Sequence, residues 1–140
     1  GVIIVKPRQT LHRNGMKTLN QLLVLILIPF VFTLFVNAAR ADVPPAEKPE
    51  VEYLLGLVKD SPCKFERNGK LYDGGKAYGH IKKKYDHFRD EITSTETFIE
   101  YSATKSMISG NYYYIVCPGA EPEKTADWLL RELSKYRQTR

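Results

Sequence analysis

The run from Leu22 to Val36, apolar except at Pro29 and Thr33, divides this chain more sharply than any other feature. As a helix it would reach roughly 22 Å at about 1.5 Å per residue, short of the ~30 Å hydrocarbon core that a permanent span must cross. Met16 and Lys17 precede the run, and Ala39-Arg40-Ala41 follows it as a small-x-small site. That order predicts a cleavable secretory signal over residues 16–41, cut after Ala41, with an uncleaved N-terminal anchor as the alternative. Residues 1–15 lie before the first Met and are expected to be no part of the native product. The junction has no Cys to carry a lipid and no Arg pair to suggest folded export, so general secretion to the periplasm is expected, with no permanent membrane anchor after cleavage.

What remains after Ala41 is enough for a single core and too little for a multi-domain enzyme. The net charge of +5 is held entirely by Lys6, Arg8, Arg13, Lys17 and Arg40, which have no Asp or Glu among them. Residues 42–140 are therefore formally neutral and lack the field that non-specific nucleic-acid binding needs. Cys63 and Cys117, an even pair in an exported domain, are expected to form a disulfide. Neither has a close Cys or His companion, which speaks against zinc, and no cofactor is expected.

Residues 42–49, with Pro44, Pro45 and Pro49 among acidic and small side chains, read as an extended linker. Residues 50–140 then form one domain. Val51, Leu54, Leu55 and Val58 have helical spacing, and the helix must stop before Pro62. Asn68-Gly69 between short alternating runs predicts a β-hairpin. Asp73 is placed to cap a long helix carrying Ala77, Ile81, Tyr85, Phe88 and Ile92 on one face, and Thr93 with Glu96 has capping-box spacing before Phe98 and Ile99. Tyr112 to Cys117 reads as a strand, and Thr125 as the cap of a last helix buried through Trp128, Leu129, Leu133 and Tyr136. The expected fold is α+β: a small antiparallel sheet of about three strands, helices on one face, and one disulfide.

Ser102 and Lys105 have the Ser-x-x-Lys spacing of some serine nucleophiles, but the other motifs of those enzymes are missing. His80 and His87 share a helix side about 10 Å apart, too far for one ion, and read as a solvated or half-buried pair. Lys82-Lys83-Lys84 reads as a wet helix face. Glu66 and Asp73 flank the hairpin, and Glu96 and Glu100 share a helical face, without forming a tight cluster. The segment Ser109-Gly110-Asn111-Tyr112-Tyr113 places a hydroxyl, a flexible Gly and aromatics on one loop. It is similar to the Ser-Gly-x-x-Tyr loops by which several lysozyme-inhibitor families plug their target, although those proteins are largely β-barrels or β-sandwiches.

Phe65-Glu66-Arg67-Asn68-Gly69, Ala77 with His80 and Lys84-Tyr85, Phe98-Ile99, Lys105-Ser106, Ser109-Gly110 with Tyr113, and Trp128-Leu129 together resemble the YfeK-like family of small exported bacterial proteins. The resemblance spans about residues 51–137 and implies a periplasmic domain of unknown function, with no catalytic residue or cofactor to carry over. The expected function is a non-enzymatic binding or accessory domain. Its contact surface is expected to hold Arg67, Asn68, Lys105, Ser106, Ser109, Gly110 and Tyr113, and its partner to be an envelope protein or a cell-wall component. A lysozyme inhibitor acting through residues 109–113 and a small envelope hydrolase are the alternatives.

Overall fold

The computed structural model describes residues 1–6 and 41–140. The expected signal over 16–41 lies outside the described residues except for Ala41, and residues 1–6 are exposed and carry no regular secondary structure. No helix among the described residues is long and apolar enough to cross a membrane.

Helix α1, Lys48–Lys59, buries Val51, Leu54, Leu55 and Val58, the stripe that its spacing predicts. The hairpin follows: β1, Lys64–Arg67, and β2, Lys70–Tyr72, pair antiparallel around Asn68 and Gly69, whose φ angles of 51° and 75° are those of a type I′ turn. Helix α2, Gly74–His87, starts where the Asp73 carboxylate accepts from the Lys76 N–H. Gly74 lets α2 pass against the end of α1, because a Cβ there would stand 2.4 Å from the Val58 carbonyl oxygen. Helix α3, Thr95–Ala103, is followed by β3, Tyr114–Val116, then β4, Glu123–Lys124, and α4, Thr125–Gln138.

The sheet has four antiparallel strands in the order β2-β1-β3-β4, one more than expected. The extra strand has only two residues, too few to show an alternating pattern. Phe65 and Ile115 are paired across β1 and β3 and are both buried, and Phe65 meets Trp128 of α4 at 6.0 Å between ring centres. The opposite face, carrying Glu66, Leu71 and Tyr114, is left without that cover. Cys63 and Cys117 flank the Lys64–Val116 pair and form the disulfide.

Residues 42–49 are not a free linker. Val43 is 1% exposed, Asp42 accepts hydrogen bonds from the Tyr85 hydroxyl and the Val43 N–H, and Pro49 lies in the first turn of α1. Glu47 reaches across to accept from the N–H of Thr95. Proline content alone reads as a tether, but these prolines shape a folded entry to α1. The capping box of α3 is Ser94 with Thr97, one residue later than the expected Thr93 and Glu96. Thr125 is the first residue of α4 rather than its cap. Helix α2 ends before Phe88 and Ile92, yet Ile92 is fully buried. Lys84 is 7% exposed and so does not belong to a wet face.

Candidate functional site

Successive strand residues point to opposite faces, so Arg67 emerges on the Phe65 side of β1, toward α2. The β1–β3 register, extended by one residue, sets Tyr113 across from Arg67 at the sheet end far from the disulfide. Tyr113 is held there by its own backbone: its N–H donates to the Thr104 carbonyl, and its carbonyl accepts from the Thr125 N–H. His80, three residues after the buried Ala77, turns from α2 into the same place.

These side chains converge. Arg67 Nη1 donates to the ring of His80, and His80 Nε2 lies 3.1 Å from the Tyr113 hydroxyl. Lys84, one helical turn beyond His80, donates to the Lys105 carbonyl at 2.6 Å, with its ammonium 5.1 Å from the centre of the Tyr113 ring. Arg67 also packs over Tyr72 at 5.2 Å. Arg67, Tyr72, His80 and Tyr113, together with Phe65, Ala77, Gly79, Ile81, Lys83 and Thr125, line a cleft of about 350 Å³. Flat apolar walls thus meet a small number of directed polar groups.

Burial, reinforced by the charges of Arg67, Lys84 and Lys83, pushes the His80 imidazolium down to a pKa of about 4. The ring is neutral at pH 7 and can accept from Arg67 at one nitrogen while it bonds Tyr113 at the other. Burial, with Arg67 and Lys105 nearby, brings Lys84 down to about 8. Burial raises the Tyr113 phenol above its ordinary value, with Arg67 acting in the opposite direction.

The expected contact residues separate into two groups. Arg67 and Tyr113 belong to the cleft. Asn68 and Ser109 meet outside it, where the Ser109 hydroxyl donates to Asn68 Oδ1 at 2.6 Å and ties the loop to the hairpin turn. Ser106 is buried; its hydroxyl accepts from the N–H groups of Ile108 and Ser109, and its carbonyl accepts from Gly110 N–H. Gly110, at φ 72°, completes that turn, and Lys105 bridges to Tyr112. The phenol of Tyr113 therefore does not project beside Ser109. Ser102 is fully buried, and its Oγ has no partner among the described residues. His87 packs against Phe88 at the end of α2, apart from the cleft lining. Among the described residues no group of His, Cys, Asp and Glu is arranged to hold a metal.

Residue type and spacing alone do not single out His80 and Thr125 of the cleft, or Lys84 beside the Tyr113 ring. A signal for Lys84 existed: it stands three residues after Ile81, on the buried stripe of α2. For Thr125 there was none, because its place depends on the turn that brings β4 beside β3.

No solved structure matches this chain. It is 29% identical over 89 residues to the uncharacterized protein YfeK of Salmonella typhimurium, covering 63% of this chain and 74% of that protein. The model of a family of unknown function, DUF5329, matches residues 45–137, which takes in α1, the whole sheet and nearly all of α4. A match over that share of the sequence makes this chain a member of the DUF5329 family.

Proposed function

We propose that this is a non-enzymatic binding domain of the periplasm that receives a small ligand of the cell envelope in the cleft between β1 and α2. The observation that carries the reading is the cleft itself: about 350 Å³, walled by Phe65, Tyr72 and Ile81, with Arg67, His80 and Tyr113 converging at one side. Ligand sites commonly combine an apolar concavity of this size with a few placed polar groups. The disulfide supports an oxidising compartment, and with it export through the expected signal.

The alternatives have less support. An inhibitor that plugs a lysozyme needs Ser109 and Tyr113 presented together, whereas Tyr113 is 6% exposed and bonded to His80. A hydrolase built on Ser102 needs a nucleophile that substrate can reach, and Ser102 is buried in the core. A protein partner has one observation in its favour: Ile108, Met107 and Leu71 stand exposed on the loop and on β2.

Gly79 supplies the test. A Cβ there meets nothing within 4 Å, so Gly79→Phe fills the cleft without a backbone clash and replaces a poor helix former. In ligand-observed NMR against a library of small envelope metabolites, binders to the wild type are expected to lose their signal with Gly79→Phe. Binders that are retained at equal strength would place the ligand elsewhere, and Ile108→Asp then tests the exposed loop.

A further inference from the structure

We infer that the cleft recognises a small organic carboxylate, held by the Arg67 guanidinium at one side and the Thr125 hydroxyl at the other, with its apolar body against Phe65 and Tyr72. This rests on the cleft being the binding site, and it adds the chemical class of the ligand.

Arg67 is the first reason. Arg89, Arg131 and Arg137 each hold a carboxylate of this chain, at 2.6, 2.7 and 2.7 Å for their Nη2 atoms. Among the described residues Arg67 has no carboxylate within ion-pair distance, and only its Nη1 is engaged, on a ring that is neutral at pH 7. Glu66, the one acid of the cleft lining, precedes Arg67 on β1, so its side chain leaves from the other face of the strand. A guanidinium whose fork is left open on a partly desolvated wall is matched best by a planar carboxylate.

Thr125 is the second, independent reason. It is 1% exposed and lines the cleft, and its Oγ1 has no hydrogen-bond partner among the described residues. Buried hydroxyls are nearly always paired, so an acceptor brought by a ligand completes this one. The same residue opens the 14-residue helix α4 with no side-chain cap, which adds a favourable partial charge for an anion. Tyr113 joins the two ends of the site, its hydroxyl on His80 and its carbonyl on the Thr125 N–H. Lys84 and Lys83 add positive charge around the ring of His80. The apolar walls favour a carboxylate with an aromatic or aliphatic body over a bare inorganic ion.

Benzoate, benzamide and inorganic phosphate are the probes, titrated into 15N-labelled protein at low salt. Benzoate is expected to bind saturably and to move the Arg67 Nε–H and the Thr125 amide, with benzamide at least about tenfold weaker for want of a charge-assisted bond. Arg67→Gln is expected to lose benzoate, Arg67→Lys to keep weakened binding, and Arg131→Gln, on a surface pair, to match the wild type. Equal binding of benzamide and benzoate overturns the carboxylate assignment and leaves the cleft standing as a site. Phosphate binding without benzoate overturns the apolar body. Undiminished benzoate binding by Arg67→Gln overturns the role of Arg67, and absence of any shift with benzoate overturns the inference as a whole. The cleft is judged separately, by the Gly79→Phe library comparison.

Discussion

His80 is neutral because partial burial, reinforced by three nearby cations, opposes its charge, and this has a consequence for stability. Its folded pKa, about 4, lies below the 6.5 of a free histidine, so between those values the unfolded chain binds more protons than the native one. The stability that this contributes is present above pH 6.5 and is lost as pH falls through about 4. Glu50 acts in the same direction at lower pH: its bond to Arg137 lowers its pKa, so its contribution stands above its ordinary 4.5 and disappears in acid. Urea midpoints are therefore expected to fall steadily from pH 7 to pH 4. His80→Gln, which cannot titrate, should flatten the upper part of that curve by about 1–2 kcal/mol once solvent screening is allowed for. An identical slope in the variant would mean that His80 protonates freely in the folded protein. At this scale the sequence was only half informative. Arg67 and Tyr113 were recognisable as contact residues, but they lie far apart in sequence from each other, from His80 and from Thr125, and only strand register and helix docking bring them together.

Among the elements, the helices with clear apolar spacing were legible: α1, the Ala77–Ile81–Tyr85 part of the α2 stripe and the Leu129–Leu133 stripe of α4 are buried as their periodicity singles out, while Phe88 and Ile92 fall beyond the end of α2. Elements defined by pairing were harder to see. Strand β4 exists because Glu123 and Lys124 find Ile115 and Tyr114, a partnership no local pattern announces. The folding of residues 42–47 onto the domain was equally hidden, since it depends on Tyr85 and Thr95, far along the chain. Helix α4 is secured at its far end by Arg137, which donates through Nε and Nη2 to Glu50 of α1 and through Nη1 to Glu96 of α3. Glu50 is 5% exposed, so truncating Arg137 strands a buried carboxylate whose remaining partner is the Thr95 hydroxyl. Arg137→Ala is expected to cost about 2–3 kcal/mol at pH 7, at the low end for a broken buried pair because the guanidinium itself is partly solvated. Arg137→Ala combined with Glu50→Gln should recover part of that loss, and chemical denaturation of the single and double variants measures it. A double variant no more stable than the single one would place the cost in lost packing of the arginine stem.

Across the whole molecule, the disulfide and the cleft lie at opposite ends of the same strand pair. Cys63 enters β1 and Cys117 leaves β3, while Arg67 and Tyr113 stand at the other ends. The bond has a sequence separation of 54 and encloses the hairpin, α2, α3 and β3, leaving α1 and α4 to pack from outside the ring. Closing a loop of that length removes enough unfolded-state entropy to be worth about 4 kcal/mol in the chain-entropy model, a large part of what a domain of this size has in reserve. Replacing both cysteines by serine is expected to lower the unfolding free energy by about 2–4 kcal/mol while leaving the m-value within the range of a similarly sized domain. The register of β1 on β3 is also supported by Phe65 and Ile115 in the core, so the variant should keep native amide shifts around Arg67 and Tyr113 below its transition. Lost stability with an unchanged cleft spectrum would identify the bond as a constraint on the unfolded chain. Shifts spreading from Cys63 to Arg67 would show instead that it holds the strand pair, and through it the binding wall, in place.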